Sequence, residues 1–415
     1  MSTTSLEVNF LTKSFVRLGT LTREPSDLYF GFHLRMRGSP PDLAMLRAHV
    51  ADRVSRIPAL THRLVLQDGR IRWEPDRDFD ITRHVRQLPG TRPAYCPAQA
   101  LLHPPPDPAR PLWGMWLQTT ETQGWGLSFL AHHAVQDATA TLCTLRLLLG
   151  SAPLATRTSP HSLKPRPPQW ATRLLPLLPD LLRAFRPAAR TPQPDKHGPQ
   201  PRELAHTSVD VELLRAAARA TGLTVNQVHL AALARALYAW DPVHERAATS
   251  LWRAAPCALL PVDVRHPHEH EGIPSLPQGN RIGLLRVPLP HKAGGAQDMP
   301  AMSRQRLAAR RRALRILTEH TPEPLADRIF GRLTDPRGVA LTASYVRMDE
   351  PMTALGARVI DIDAIPWLPP GHTCFTLLLT HGASANLAAL TDTAARHPRR
   401  LVRLWAHAVH DMSAA

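Results

Sequence analysis

The spacing of apolar positions in the first half of the chain is typical of strands and helices in alternation. Residues 27–37 alternate in their later part, which predicts a strand. Residues 43–54 carry apolar side chains at helical intervals after an Asp, which predicts a helix. Two short apolar runs, 64–66 and 71–73, flank an Asp-Gly turn and predict a hairpin. Further predictions in this half are strands at 112–117 and 125–131 and a helix at 139–149.

The second half repeats this mixture after a proline-rich interval. Residues 151–205 contain twelve of the 42 prolines and enclose an apolar, helix-like stretch at 170–185, so we interpret the interval as a linker. Beyond it the patterns predict strands at 258–264, 282–287, 339–345, 357–362 and 375–380 and helices at 211–220, 225–240, 301–320, 387–395 and 400–412. A capping box of Thr224 and Gln227 marks the start of one of these helices.

This mixture predicts an α/β (α+β) chain with two comparable domains. We place the N-terminal domain at 1–155, the proline-rich linker at 156–205 and the C-terminal domain at 206–415. The 415 residues are 43% hydrophobic and 20% charged, which is the composition of a globular protein.

Composition and charge restrict the partners and the compartment. No apolar run approaches the roughly 20 residues of a membrane span, and the four cysteines are far apart, so we expect a cytoplasmic protein. The net charge of +16 rests on arginine, because only four of the 50 basic residues are lysines. No nucleic-acid motif accompanies it, so we predict no nucleic-acid partner; phosphates, an anionic membrane or an acidic protein remain open.

The strongest chemical signal lies where a predicted strand meets a helix. His132 and His133 end the strand, and Asp137 follows four residues after the second histidine. A histidine held at such a junction suits general-base catalysis, because its ordinary pKa is close to neutral. The alternative is a packed and partly exposed loop without chemistry.

The sequence His-His-Ala-Val-Gln-Asp-Ala at 132–138 resembles the H-H-x-x-x-D-G motif of the CoA-dependent acyltransferase superfamily. That superfamily includes chloramphenicol acetyltransferase, peptide-synthetase condensation domains and bacterial wax ester synthase/diacylglycerol acyltransferases. Four further segments keep the order of motifs in the last group. They are 73–85, similar to W-x-x-D-x-x-F-D-x-x-x-H-V; 110–113, similar to P-L-W; 223–231, similar to the N-D motif; and 261–265 with 279–281, similar to P-x-x-x-R and G-N.

The resemblance implies two chloramphenicol-acetyltransferase-like domains in a V shape, with the active-site tunnel between them. It implies that His133 is the general base, with His132 as its neighbour. Asp137 then holds the loop through an ion pair with an arginine, for which Arg63 and Arg265 are both candidates. No cofactor and no metal are implied, because the thioester of acyl-CoA or of an acyl carrier protein is itself the substrate.

The resemblance also implies a set of substrate-binding residues: Trp113, Ala138, Asn226, Gln227, Gly279, Asn280 and Ser344. Several of them depart from the family pattern. Ala138 replaces the closing glycine of the histidine motif, and Gln227 replaces the aspartate of the N-D pair. A positive φ at position 138 would make the first departure costly. The serine-rich segment at 342–347 lacks its P-G-P, so the acceptor side has drifted from the family pattern.

Together these features predict an acyltransferase that moves an acyl group from a thioester, with acyl-CoA favoured, to a small hydroxyl or amine acceptor. The alternatives are a carrier-protein-dependent condensation enzyme and a non-catalytic binding member of the fold. The apolar insert at 170–185 makes peripheral contact with lipid at the inner membrane face a further possibility. The arginine-rich stretch at 304–315 is interpreted as a solvated face or a docking surface for CoA phosphates or an acidic carrier. The His-rich tract at 266–271 could bind a divalent metal, but it lacks a recognisable fourth ligand and is interpreted as a solvated loop.

Overall fold

The described part of the chain divides into two units that are each discontinuous in sequence. The computed structural model describes residues 6–22, 24–88, 107–119, 124–150, 172–185, 202–241, 256–266, 279–290, 304–392 and 397–414. The first unit draws on Met1–Lys164, Arg265–Arg281 and Glu350–Trp367. The second draws on Pro165–Val264, Ile282–Asp349 and Leu368–Ala415.

The first unit combines two sheets with short helices. Its strands are β1 (Leu6–Glu7), β2 (Tyr29–Arg37), β3 (His62–Gln67), β4 (Arg70–Pro75), β5 (Val85–Gln87), β6 (Trp113–Thr119), β7 (Gly124–His132), β12 (Thr353–Ala354) and β13 (Ala357–Ile365). Its helices are α1 (Phe10–Gly19), α2 (Leu43–Val54), α3 (Pro58–Thr61), α4 (Ile81–His84) and α5 (Ala138–Leu149), with a 3₁₀ turn at Pro25–Leu28.

The main sheet of this unit has the order β12-β13-β2-β7-β6-β5. Strands β2 and β7 pair antiparallel over their whole length, from Tyr29 opposite His132 to Arg37 opposite Gly124. Strand β13 pairs with the other edge of β2, and this pairing brings a segment from late in the sequence into the first unit. Because β2 and β7 lie in the middle of the sheet, the residues at the end of β7 have a rigid support.

The second unit contains one mixed six-stranded sheet of order β10-β9-β11-β14-β15-β8. Its strands are β8 (Arg202–Asp210), β9 (Cys257–Asp263), β10 (Ile282–Pro288), β11 (Leu341–Met348), β14 (Cys374–His381) and β15 (Ser384–Asp392). Its helices are α6 (Leu178–Phe185), α7 (Val211–Thr221), α8 (Val225–Trp240), α9 (Arg304–His320), α10 (Glu323–Leu333) and α11 (Pro398–Ala414), with 3₁₀ turns at Thr172–Leu177 and Pro336–Gly338.

Two separate apolar clusters stabilise the second unit. The larger cluster joins α7, α8 and α11 to the sheet and includes Tyr238 and Trp405. The smaller cluster joins the apolar insert, α9 and α10 to the edge of the sheet at β10. The insert at 172–185 therefore packs on the second unit through Leu177, which is 1% exposed.

The mixed α/β architecture predicted from the sequence is confirmed, but one element was assigned the wrong type of secondary structure. Residues 387–395 were predicted as a helix, whereas 384–392 form strand β15 between β14 and β8. A continuous buried apolar run has no period of 2, so a central strand and a buried helix look alike in sequence. Gly382, with φ of 59°, makes the tight turn that fixes β14 and β15 as a hairpin.

The longest described elements that were not predicted are α1, α10 and β8. Strand β8 begins at Arg202, inside the range interpreted as linker, and pairs with β15 along its whole length. Most of that range, 156–171 and 186–201, lies outside the described residues, as do 301–303 and 393–396. The predicted boundaries 1–155, 156–205 and 206–415 are contiguous, whereas both units draw on separated segments.

Candidate active site

Backbone pairing fixes the two adjacent histidines at the end of β7. The N–H of His132 donates to the carbonyl of Leu112 at 2.9 Å. The N–H of His133 donates to the carbonyl of Leu28, also at 2.9 Å. The chain then turns and enters α5 at Ala138. Backbone hydrogen bonds to the residues just before β6 and β2 therefore hold both histidines before any side-chain contact is considered.

Aromatic side chains surround the imidazole of His133. Its ring stacks on Phe15 from α1, with ring centroids 4.1 Å apart, and lies 4.6 Å from the ring of Phe30 on β2. Trp367 contacts it edge-on at 5.0 Å. Helix α1 also holds the loop, because the Thr12 hydroxyl donates to the carbonyl of Ala134 at 3.0 Å. His133 is consequently 7% exposed and cannot rotate freely.

Burial governs the protonation state of His133. It lowers the pKa of this imidazole to about 4, because a charged ring is poorly solvated among aromatic side chains. A hydrogen bond to its own carbonyl, the charge of Asp137 and a hydrogen bond with Asn280 act in the opposite direction and are outweighed. Near neutral pH the ring is therefore uncharged and can accept a proton. Its Nδ1 is fully buried, which leaves Nε2 as the nitrogen for that role.

His132 has a different environment. Its Nδ1 accepts a hydrogen bond from the N–H of Ala134 at 3.1 Å, so Nδ1 carries no proton and the proton of the neutral ring is on Nε2. The ring meets Tyr29 edge-on at 5.2 Å. Burial first, and the neighbouring His133 second, lower the pKa of His132. The bond to Ala134 makes His132 part of the turn that shapes the loop.

Asp137 stabilises the loop through three groups. One carboxylate oxygen caps α5 by accepting the N–H of Ala140 at 2.9 Å. The other accepts the guanidinium of Arg265 at 2.8 Å and the N–H of Arg281 at 2.7 Å. Of the two arginines that the sequence left open, Arg265 is thus the partner of Asp137. Because Asp137 is 2% exposed, this arrangement compensates for the loss of water around its charge.

The segment 279–281 lies directly against the histidine loop. A Cβ atom on Gly279 would stand 2.0 Å from the carbonyl oxygen of Val135, so only glycine permits this approach. The carboxamide of Asn280 donates to the carbonyl of His133 at 2.7 Å. Gly279 and Asn280, predicted to bind substrate, are thus in contact with the loop that carries His133.

Ala138 is the first residue of α5, directly after its cap. Among the described non-glycine residues with a positive φ, Asp68 and Leu355 are found and Ala138 is not. The glycine of the family motif is therefore not needed for backbone conformation at this position. Gln136, which stands where an apolar residue is usual, is fully buried and donates to the hydroxyl of Thr144 at 2.7 Å.

Two of the resembling segments contact each other inside the first unit. Arg110, beside the P-L-W sequence, pairs with Asp76 at 3.0 Å. The ring of His84 stacks on Trp113 at 4.6 Å, and the indole N–H of Trp113 donates to the carbonyl of Leu60 at 2.8 Å. Trp113, predicted to bind substrate, is 2% exposed and has this packing role.

The remaining predicted site residues belong to the second unit. Asn226 is exposed in the first turn of α8. The carboxamide oxygen of Gln227 accepts the N–H of Thr224 at 3.0 Å, which completes the predicted capping box. Ser344 lies on β11 opposite Leu377 and is 8% exposed. Their contact with substrate stays a prediction.

Sequence reasoning missed several residues that contact the histidine loop, among them Phe15, Phe30, Arg281 and Trp367. Phe15 is in a helix that was not predicted, and Trp367 is more than 200 positions from the motif. Residue 281 contributes its backbone N–H, so its side chain carries no signal. The alternating pattern around Phe30 indicated only a buried strand.

The described ranges were searched for metal-ligand clusters and for helices that could span a membrane. Within them no cluster of three or more His, Cys, Asp or Glu side chains is arranged to hold a metal ion. The His-rich tract lies largely outside them, since residues 267–278 are not described. No helix in the searched residues has the length and apolar character needed to cross a bilayer.

Comparison with known proteins agrees with these motifs. Residues 28–177 match the family described as the wax ester synthase/diacylglycerol acyltransferase catalytic domain. Two proteins from strains of Mycobacterium tuberculosis, provisionally named as diacylglycerol O-acyltransferases, are 27% identical over 179 residues. That match covers 40% of this chain and 39% of each relative, so the chain matches about two fifths of their length.

Solved structures show the same fold over nearly the whole chain. A mutant starter condensation domain of rhizomide synthetase, in complex with C8-CoA and Leu-SNAC, has a TM-score of 0.70 at 14% identity and covers 99% of this chain and 94% of its own. The wax ester synthase/diacylglycerol acyltransferase from Marinobacter aquaeolei VT8 has a TM-score of 0.59 at 16% identity, covering 98% of each chain.

A condensation domain of the calcium-dependent antibiotic synthetase, in complex with a substrate analogue, has a TM-score of 0.68 at 16% identity and covers 100% of this chain and 97% of its own. At 14% to 16% identity these likenesses show the fold alone. The chain is therefore similar to a wax ester synthase/diacylglycerol acyltransferase catalytic domain over residues 28–177, and it shares its fold with condensation domains and with a wax ester synthase/diacylglycerol acyltransferase.

Proposed function

We propose that this protein is an O-acyltransferase or N-acyltransferase that transfers an acyl group from a thioester, with acyl-CoA as the favoured donor, to a small hydroxyl or amine acceptor. The observation that carries the proposal is the neutral, buried imidazole of His133 on a loop anchored at both ends. The backbone N–H of His133 donates a hydrogen bond to the carbonyl of Leu28, and the backbone carbonyl of His133 accepts one from the carboxamide of Asn280. A group fixed in this way meets the geometric demand on a general base.

The reaction follows from the chemistry of a thioester and one base. His133 Nε2 accepts the proton of the acceptor O–H or N–H while that atom attacks the thioester carbonyl. The tetrahedral intermediate collapses with loss of the thiolate, which takes the proton back from the imidazolium. The Asp137 carboxylate favours the transient positive charge on the ring. No cofactor is required, because the thioester is already activated.

His133→Ala tests the base. We expect turnover of acyl-CoA with an alcohol or amine acceptor to fall about 10²–10⁴-fold, the usual contribution of a positioned base, while the fold is retained. Thiol release is the measurement and the melting temperature is the fold control. His132→Ala is the matched variant and should reduce turnover less. Activity of His133→Ala within a few fold of wild type would exclude this mechanism and leave a binding role for the fold.

A carrier-protein-dependent condensation enzyme is the second candidate, because the fold is shared with condensation domains at TM-scores of 0.70 and 0.68. The same assay separates the two donors when one acyl group is presented on CoA and on a carrier protein. A broad protein contact loses association rate as salt rises, whereas a small phosphate site depends on a few arginines. Turnover of the carrier-bound acyl group alone would replace the acyl-CoA assignment with the condensation reaction.

A further inference from the structure

A cluster of elements at one edge of the second unit carries an unusual number of exposed leucines. The cluster consists of the 3₁₀ turn 172–177 and helices α6, α9 and α10, which pack on one another and on β10. We call it the insert cluster. Nine large apolar side chains are strongly exposed among the described residues, and five of them lie on it. They are Leu175, Leu178, Leu182, Leu307 and Leu325, and they include every such residue described in the second unit.

Three of these leucines form a stripe on the insert itself. Leu175, Leu178 and Leu182 are spaced by three and four residues and are 62%, 47% and 58% exposed. The intervening Leu177 is buried in the core of the cluster, and Leu174 and Leu181 pack against that core. The insert thus has an inner apolar face that stabilises the fold and an outer apolar face that does not.

An ion pair holds the stripe in this orientation. The carboxylate of Asp180 is buried and accepts the guanidinium of Arg310, from α9, at 2.6 Å. Asp180 lies on α6 between Leu178 and Leu182, so the pair joins that helix to α9. Rotation of the stripe toward the protein would break a buried pair and expose the inner leucines. Its outward position is therefore a stable feature of the unit.

The charge of the insert cluster indicates what kind of partner covers the exposed leucine stripe. Residues 172–185, 304–320 and 323–333 contain ten arginines, no lysine and four acidic residues, a net charge of +6. Arg173, Arg312 and Arg328 are exposed. A projecting leucine stripe beside arginines is the composition of an amphipathic element that lies in the interface of an anionic bilayer. A fluid lipid layer can surround projecting side chains, whereas a folded partner needs matching pockets.

We propose that the insert cluster is a peripheral membrane-binding surface, in which Leu175, Leu178 and Leu182 enter the headgroup region of an anionic lipid bilayer. The surrounding arginines contribute by attraction to the lipid phosphates. The insert cluster belongs to the second unit, whereas His133 and its loop belong to the first. The proposal therefore stands or fails independently of the proposed acyl transfer.

Vesicle flotation tests the leucine stripe. The full-length protein should bind phosphatidylcholine vesicles that contain phosphatidylglycerol, and a Leu175→Gln/Leu178→Gln/Leu182→Gln variant should partition about tenfold more weakly or worse. The matched control replaces three equally exposed side chains of the first unit, as Leu21→Gln/Met45→Gln/Leu66→Gln. We expect the control to bind like wild type and both variants to turn over a water-soluble acyl-CoA normally.

The contribution of charge is tested separately. Arg173→Gln/Arg312→Gln should lower binding to the anionic vesicles about tenfold and abolish the preference for phosphatidylglycerol. Arg37→Gln/Arg56→Gln, two exposed arginines of the first unit, is the control. Wild-type protein that does not bind vesicles, or a leucine variant that binds as wild type does, overturns the proposal. So does a wild-type dimer that becomes monomeric in the leucine variant, because the stripe is then an interface between copies.

Discussion

At the imidazole of His133, the surrounding side chains decide the charge. Phe15, Phe30 and Trp367 bury the ring, and burial places its pKa at about 4, well below the ordinary value of 6.5. The folded protein therefore holds the neutral form from mildly acidic to alkaline pH. The same aromatic contacts restrict the ring to one orientation, which is what a general base requires.

Replacement of Arg265 should destabilise the protein strongly. In Arg265→Ala the buried carboxylate of Asp137 keeps its charge without the cation at 2.8 Å, and breaking a buried pair on one side costs about 3–5 kcal/mol. The free energy of unfolding measures the loss. Activity should fall as well, because Asp137 also caps the helix that follows the histidine loop.

Arg63→Ala is the matched control for this prediction. Arg63 was the other arginine that the sequence offered as a partner for Asp137, and it lies on β3 in the same unit. We expect its loss to cost less than half as much free energy of unfolding. Equal costs for the two variants would contradict the assignment of Arg265 as the partner.

The sequence identified Asp137 as a residue that stabilises the loop, but it could not identify the arginine that pairs with it. The motif placed the carboxylate before a helix, and its capping role follows from local chain geometry. Arg265 is 128 positions away, and nothing local distinguishes it from Arg63. The structure shows the expected ion pair of Asp137 with an arginine, and the choice between the two arginines needed the fold.

At the scale of elements, the segment around Gly279 supports the histidine loop by close backbone packing. Gly279 packs against the carbonyl of Val135. The Asn280 carboxamide donates to the carbonyl of His133, and the N–H of Arg281 donates to the carboxylate of Asp137. Three consecutive residues thus contact the loop at three points. The G-N resemblance found in the sequence has a direct structural explanation in this contact.

Gly279→Ala should displace this segment. The new methyl group would overlap the Val135 carbonyl, so we expect a loss of about 1–3 kcal/mol in unfolding free energy and a lower kcat, because the His133 carbonyl loses its support. Chemical denaturation and steady-state kinetics with the same substrate pair are the measurements.

Gly331→Ala is the control for replacing a glycine by alanine at a position without steric overlap. Gly331 lies inside α10, and a Cβ atom there meets no atom within 4 Å. Alanine in a helix interior should stabilise by up to about 1 kcal/mol and leave kcat unchanged. A tolerated Gly279→Ala variant would show that the segment can move without consequence for the loop.

The elements themselves were predicted to different degrees. Strands β2 and β7 and helix α8 follow from alternation, period and a capping box, which are local properties. Strand β15 was mistaken for a helix because its consecutive residues are buried, so no alternation of exposed and buried positions marks it as a strand. Helix α1 was missed, although it supplies the Phe15 ring that stacks on His133.

Across the whole molecule, several buried histidines make folding sensitive to acid. Burial lowers the pKa of His133 and His372 to about 4 and that of His229 to about 3. The unfolded chain protonates these imidazoles below its ordinary pKa of about 6.5, while the folded state does not. The stabilising contribution is therefore complete above pH 6.5 and is lost as the pH falls toward 4.

His229→Leu isolates one part of this effect. His229 is fully buried, and neither ring nitrogen has a hydrogen-bond partner among the described residues. As the pH falls from 6 to 4, the free energy of unfolding should decrease by about 1.4 kcal/mol less per pH unit in the variant than in wild type. Denaturation midpoints across this range measure the slope. The exposed His407, changed to Leu, is the control. An unchanged slope in His229→Leu would contradict the neutral state of His229.

By itself the sequence determined the mixed α/β class, most of the elements and the order of the motifs. It also identified His133 and Asp137 as candidate site residues. These properties are local, because period, caps and short motifs depend on neighbours within a few positions. The tertiary structure decided what depends on distant residues. It placed 265–281 and 350–367 in the first unit, selected Arg265, buried His133 against Trp367 and turned three leucines outward. Such contacts join residues far apart in the chain, and only the packing of the folded units brings them within bonding distance.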